Sequence, residues 1–315
     1  MTRASEESGV IVRCLLDILK HCVLCPRRCG ADRTAGETGF CGLPGHLVVD
    51  CALPHLGEEP PLSGRYGSGT IFFSSCNLRC VFCQNYQISH STAGKTMTPA
   101  GLARMMLALQ DDRCHNINVV TPTPQIPLIL EGLRLARKQG LAIPFVYNCG
   151  GYEDPDIIRR LAGDVDIYLP DFKYGSDETA RLLSGVGDYC AFAVAALKEM
   201  ARQVGDGLHL DDGIATGGLL IRHLVLPGLV GNSIAALDLI RSHLSPEVAL
   251  SIMSQYTPIS AVKQHPLLGR RVTRQEYQVV VDHALALGFE NLYLQEVNDR
   301  HLSPDFGQEK PFCWE

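Results

Sequence analysis

Six short apolar runs, each separated from the next by a stretch with helical signals, constrain this chain most. They lie at 70–74, 117–121, 143–148, 165–169, 219–226 and 248–253. Their density of apolar and β-branched residues suits strands buried on both faces, as in a parallel sheet. Thr98-Pro99 caps an intervening helix containing Leu102, Met105, Met106 and Leu109, and Gly140 can end a second at 128–139. Helices are also expected at 233–244 and 273–287. Strand and helix in alternation predict an α/β fold, a parallel sheet with right-handed crossovers curled into a TIM-like partial (β/α)6 barrel. Chemistry in such folds sits at the C-terminal ends of the strands.

Before the barrel the texture differs. Val10, Cys14, Leu15, Ile18 and Leu19 follow helical spacing, and a Cys-, Arg- and Gly-rich segment runs from Cys22 to Gly45. A stretch with Pro54, Pro60 and Pro61 then reads as a linker or lid. The expected organisation is a Cys-rich metal-binding module with linker at 1–60, the barrel at 61–300 and a tail at 301–315.

Thirteen Cys, an odd number with several in tight clusters, suit metal or iron–sulfur ligation in a reducing compartment better than a disulfide framework. Charge argues against nucleic acid and membrane surfaces as general partners, since 28 Lys and Arg against 34 Asp and Glu leave a net −6. Glu6 and Glu7 stand where a signal peptide needs positive charge. The uncharged stretch 114–130 carries Pro122, Pro124 and Pro127, so no membrane span and a cytoplasmic location are expected.

The most specific motif follows the first strand: Cys76-x3-Cys80-x2-Cys83. Three thiolates so spaced can each take one iron of a cubane. No fourth Cys follows in the loop, so one iron would stay open to a substrate or cofactor, whereas a structural zinc prefers four closed ligands.

With Phe73, Asn77, Leu78, Phe82 and Asn85 around it, this loop resembles the radical S-adenosylmethionine (SAM) superfamily, in particular the activating enzymes of glycyl-radical enzymes and pyruvate formate-lyase activating enzyme-like proteins. The resemblance extends more loosely over residues 60–300. It implies that Cys76, Cys80 and Cys83 ligate a [4Fe-4S] cluster whose open iron binds SAM, and it places Phe82 at the SAM site. It further implies one-electron cleavage of SAM to a 5′-deoxyadenosyl radical that abstracts hydrogen. A reductant such as flavodoxin or ferredoxin is implied, and a protein substrate would fit an activase.

Other strand ends supply further candidates. Where the superfamily commonly places Gly-Gly-Glu, this chain has Thr121-Pro122-Thr123-Pro124-Gln125, whose carbonyls and Thr121 and Thr123 hydroxyls could accept the same hydrogen bonds. Asn148 precedes Gly150-Gly151, small enough for a ligand to approach the backbone. Asp171-Phe172-Lys173 is similar to an Asp-x-Lys pattern of the activating enzymes. Lys173 would pair with a carboxylate of SAM or substrate, and Asp171 would orient it. Arg222 and His223 interrupt the fifth run, where alternation turns at most one of them inward. Gln255 and Tyr256 form a polar tip after the sixth, with Gln255 a candidate contact to adenosine. His55, Glu58 and Glu59 beside two prolines read as a stiff connector rather than a metal site. Lone His residues at 90, 209, 243, 283 and 301 show no ligand spacing.

Cys22-x2-Cys25-x3-Cys29, with Cys41 reached through glycine-rich turns, predicts a second centre. Closed Cys₄ zinc, a further [4Fe-4S] cluster and unligated thiols all remain open at this stage, and Arg27 and Arg28 would offset the thiolate charge. The function read from all this is a radical SAM enzyme. A protein that binds SAM and metal without turnover, as electron carrier or assembly factor, is the rival reading. The substrate loops carry no recognisable signature.

Overall fold

All six expected strands are present in the computed structural model, which describes residues 15–298, 303–308 and 310–312. Of the opening helical pattern, Val10 and Cys14 lie outside the described residues, as does His301. The strands are β1 Leu47–His55, β2 Ser68–Phe73, β3 Lys95–Met97, β4 Ile117–Val120, β5 Phe145–Cys149, β6 Ile167–Pro170, β7 Leu208–Asp211, β8 Ile214–Leu224, β9 Ala249–Met253 and β10 Leu292–Leu294. They pair in the order β10-β9-β8-β6-β5-β4-β2-β1-β3. Along this path every pair from β2 to β10 is parallel, while β1 is antiparallel to both β2 and β3, and β7 lies off the path, antiparallel to β8. The order does not close on itself, so the barrel is partial.

Three differences from expectation have physical causes. Residues 47–55, read as connector, form β1. Pro54 is tolerated because β3 pairs only with Leu47 to Val49, leaving Pro54 on an open edge where no N–H is needed. A seventh parallel strand, β10, is three residues long and half exposed, too short for an apolar run to announce it. The β7–β8 hairpin turns on Asp212-Gly213 with φ of 47° and 77°, the two positive φ values of a tight hairpin turn.

The helices cover the outer face. They include α1 Pro99–Asp111, α2 Ile126–Lys138, α3 Asp177–Ser184, α4 Tyr189–Val204, α5 Val230–His243 and α6 Arg274–Ala286. Thr98 caps α1 through its hydroxyl on the Gly101 N–H at 3.1 Å, and Thr273 and Glu276 close a reciprocal cap on α6. Gly140, φ +105°, follows α2 as expected. Among the described residues no single helix is long and apolar enough to cross a membrane. The one pair that passes together, α3 and α4, is bent by 103°.

Strand alternation in β8 resolves the Arg222-His223 pair. His223 faces outward, fully buried against α5, with Nε2 2.8 Å from the Ser233 hydroxyl and Nδ1 2.6 Å from the Phe172 carbonyl oxygen. Arg222 turns to the other face, into the barrel.

Candidate active site

The Cys loop leaves β2 through two residues with left-handed backbone, Ser75 at φ 67° and Arg79 at φ 52°. Such values in non-glycine residues persist only where surroundings impose them. The Ser75 N–H donates to the Ile88 carbonyl at 2.8 Å, the Asn77 amide to the Tyr152 carbonyl at 2.7 Å, and the Val81 N–H to the Leu183 carbonyl at 2.9 Å. The three sulfurs are thereby held, and each accepts a hydrogen bond: Cys76 from the Leu78 N–H at 3.3 Å, Cys80 from the Ser184 hydroxyl at 2.9 Å, and Cys83 from the Ser89 hydroxyl at 3.3 Å. The Ser184 hydroxyl is itself paired with the Tyr174 phenol. Donors aimed at sulfur stabilise thiolates and tune an iron–sulfur cluster.

Burial pushes the Cys76 thiol up to about 12 and also raises Cys83. Metal binding would displace the protons of such thiols to solvent, because the thiolate is the ligand. Among the described residues no three His, Cys, Asp or Glu side chains converge closely enough to hold a single metal ion. The three thiols nonetheless share one pocket, and a cubane, which gives each thiolate a different iron, asks for wider separation than one zinc does. The loop fits the cluster.

The thiols open onto a cleft of about 1030 Å³, its mouth included, at the C-terminal ends of the strands. Thr121, Asn148, Asp171, Lys173 and Gln255 all line it, with Phe82 set edge-on to Tyr174 and Tyr256 at 6.4 Å each. Thr121 has φ 59°, rare for a β-branched residue, and its N–H donates to the Asn148 carbonyl at 2.9 Å. Two expectations are corrected. Thr123 does not line the cleft: it is buried, and its hydroxyl donates to Glu153 at 2.8 Å because the turn after Thr121 directs it beneath β5. Of the Gly150-Gly151 pair, Gly150 lines the cleft as expected, whereas Gly151 admits protein rather than ligand. A Cβ at Gly151, φ +78°, would stand 2.4 Å from the Asp171 carbonyl oxygen, and one at Gly150 would meet Leu78 at 2.9 Å.

Lys173 donates to Asp171 at 2.6 Å, and Asp171 accepts from Arg222 Nε at 2.8 Å on its other oxygen. Burial alone would lower Lys173, but Asp171 and the neighbouring thiols hold it above its ordinary value. Burial would likewise raise Asp171, yet Arg222 and Lys173 keep its carboxyl below the usual range. Arg222 completes a network with Glu58 through Nη1 at 2.9 Å and with Asn148 through Nη2 at 2.6 Å. Glu58 was missed when His55, Glu58 and Glu59 were read as a connector. The available signal was the arginine inside an apolar strand, which needs a carboxylate partner.

The N-terminal Cys segment lies against this loop. Arg27 donates to the Asn77 carbonyl at 2.6 Å and the Ser184 carbonyl at 3.1 Å, while Arg79 and Ser75 both donate to the Cys41 carbonyl. Arg28 is committed to Asp154 at 2.8 Å. Arg27 interacts electrostatically with Cys25, and a further arginine, the buried Arg33, stands with Nη1 4.0 Å from Cys22 Sγ. Sequence spacing alone did not single it out.

Against known proteins, a family model described as the Radical SAM superfamily matches residues 70–211. An uncharacterized protein of Methanocaldococcus jannaschii is 32% identical over 287 residues, covering 88% of this chain and 78% of that one. The chain belongs to the radical SAM superfamily. Pyruvate formate-lyase-activating enzyme of Clostridium pasteurianum is 27% identical over 125 residues, 37% of this chain and 50% of the relative. SuiB of Streptococcus suis bound to its precursor peptide SuiA shares the fold, with a TM-score of 0.50 at 12% identity over 71% of this chain and 48% of SuiB. Radical SAM membership implies an enzyme that uses an iron–sulfur cluster and SAM.

Proposed function

We propose that this radical SAM protein holds a [4Fe-4S] cluster on Cys76, Cys80 and Cys83 and binds SAM in the adjoining cleft. The observation that carries the reading is the hydrogen-bond donor aimed at each of the three sulfurs at the mouth of that cleft. When bound, the cluster supplies one electron to SAM, giving methionine and a 5′-deoxyadenosyl radical for hydrogen abstraction. The chain's own part is to place and enclose. Lys173, oriented by Asp171, offers an ammonium to a carboxylate of SAM or substrate. Phe82 and Tyr256 give apolar walls, Gln255 and Asn148 give amides, and Thr121 gives a hydroxyl. Such a dry, shaped site protects a radical from water. A one-electron carrier such as flavodoxin or ferredoxin in the cytoplasm is the reductant, and an activase role on a protein partner is supported by the likeness to pyruvate formate-lyase-activating enzyme. Anaerobically reconstituted protein, given dithionite and SAM, is expected to form 5′-deoxyadenosine and methionine slowly without other substrate. Chromatography reads the outcome, and a SAM-binding protein that yields no 5′-deoxyadenosine with any reductant overturns the reading.

The quartet Cys22, Cys25, Cys29 and Cys41 forms a second metal centre in the same proposal. Support comes from the close approach of Cys29 Sγ to Gly39, so close that an added Cβ would collide with it, which puts that thiol against the turn leading to Cys41, and from the electrostatic interaction of Cys25 with Cys22 and Cys41. We read this centre as a further [4Fe-4S] cluster, with a closed Cys₄ zinc site as its rival. With the loop cysteines replaced by Ala, the protein should keep about four irons. One zinc would instead assign the closed structural site, and no metal would remove the second centre.

A further inference from the structure

Beyond the SAM cleft, the barrel mouth opens a second lobe of about 990 Å³, mouth included, that shares Asn85, Asn148, Arg222 and Gln255 with the first. Its far side is made by Glu58 and Glu59 from the segment after β1, Ser251 from β9 and Tyr293 from β10. Two carboxylates in a largely buried wall need explanation, and they are not alike.

Glu58 is satisfied. Its Oε2 accepts from Arg222 at 2.9 Å and its Oε1 from the Asn118 amide at 3.0 Å. Glu59 is not. The Ser251 hydroxyl serves its carboxyl, but Oε2 is buried with no hydrogen-bond partner among the described residues. An acceptor left in that state is destabilising, more so if charged, and a donor brought to this carboxyl would offset it.

The sign of that ligand follows from its neighbours. Three of the five Arg222 N–H groups already donate, to Asp171, Glu58 and Asn148, so its charge is matched by two carboxylates of the protein rather than held for an incoming anion. Burial depresses His55 to about 4, so its ring adds no positive charge near neutrality. Across both lobes three carboxyl groups, Glu58, Glu59 and Asp171, face two cations, Arg222 and Lys173, and because burial raises Glu58 and Glu59, an added cation would favour their ionised forms. A metal ion is disfavoured, because no three candidate ligands converge there among the described residues. Phe72 and Phe312, stacked at 5.5 Å, line the same lobe and suit an alkyl stem behind a charged head.

We propose that this second lobe is the substrate pocket and that it takes an organic cation, an ammonium or guanidinium group on an aliphatic stem, docked on the Glu59 carboxylate. The head comes from a free amine or from a basic side chain of a peptide. The proposal rests on the SAM-cleft reading for its place beside the reacting centre, but the binding it predicts does not depend on SAM cleavage.

Titration calorimetry on the reconstituted full chain with SAM uses four probes: agmatine, N-acetyl-lysine methylamide, N-acetyl-norleucine methylamide and glutarate. The two cations should bind, and the neutral and anionic probes should not. Agmatine binding without the lysine amide assigns a small-molecule amine, and binding of the lysine amide assigns a peptide side chain. Glu59→Gln should weaken the better cation by about tenfold or more. Equal binding of the norleucine amide, tighter binding of glutarate, or binding of no cation overturns the proposal, and all three are read on the unmodified protein. A protein that cleaves SAM yet binds neither cation loses this inference alone. One that binds them through Glu59 without cleaving SAM loses the enzymatic reading instead.

Discussion

Protein in which Cys76, Cys80 and Cys83 are replaced together by alanine should still fold, should lose the reduced-cluster EPR signal that SAM perturbs, and should make no 5′-deoxyadenosine above background. Folding should survive because the chain buries a core large enough to stand without metal, and the loop is held by the Ser75 and Val81 backbone N–H groups and the Asn77 side-chain amide rather than by its thiols. Activity should not survive, because no other described thiol is placed to replace three ligands at once. Cys149 reaches the same cleft, but its thiol is engaged with the buried Glu153. Circular dichroism and anaerobic EPR with and without SAM separate the two effects. A SAM-sensitive signal that persists in the triple variant assigns the cluster to other residues.

Arg222→Met should be the most destabilising single change at the barrel mouth. The arginine side chain is 13% exposed and neutralises Glu58, at 8%, and Asp171, at 20%. Removing it leaves Glu58 buried beside His55 Nδ1 at 3.7 Å, a ring that burial holds well below its ordinary pKa, and Asp171 with Lys173 alone. Breaking a buried ion pair on one side costs about 3–5 kcal/mol. For a chain of this size that corresponds to a fall in Tm on the order of 10 °C. The pH dependence has a definite sign. Burial already raises Glu58, and without Arg222 its pKa stands further above the unfolded value. The penalty is therefore absent below the unfolded carboxylate range near pH 4, grows as pH rises through it, and is complete above the raised folded value. Thermal unfolding of wild type and variant at pH 5 and pH 7.5 should show the gap widening at the higher pH. A gap under about 1 kcal/mol at pH 7.5, as for a surface pair, would mean that water solvates these carboxylates.

Much of the site could be read in the chain because its residues follow strands. Cys76, Cys80 and Cys83 come directly after β2, Asn148 lies near the end of β5, Asp171 and Lys173 follow β6, and Gln255 follows β9. In a parallel array every strand end faces one way, so each reaches a common cleft without distant contacts being known. Thr123 fails for a local reason: after the left-handed Thr121 the chain enters a 3₁₀ turn that carries the hydroxyl to Glu153. Glu58 and Glu59 were unreadable for a topological reason. They follow β1, which pairs antiparallel at the edge of the sheet, and only the curl of that sheet brings them across to Arg222 on β8 and Ser251 on β9.

The sequence by itself determined the α/β alternation, the polarity of the barrel and the three-cysteine loop. Each depends on spacing within one segment, where 3.6-residue and two-residue periods, caps and short ligand intervals act locally. The tertiary structure alone decided which hydroxyl and amide protons point at the sulfurs. It also decided that Arg33 rather than Arg27 or Arg28 stands at Cys22, and that an edge segment supplies carboxylates to the cleft. Those pairings join residues up to 164 positions apart, as Glu58 and Arg222 are, and no local period encodes such a contact. It exists only once the strands are ordered and the sheet has curled.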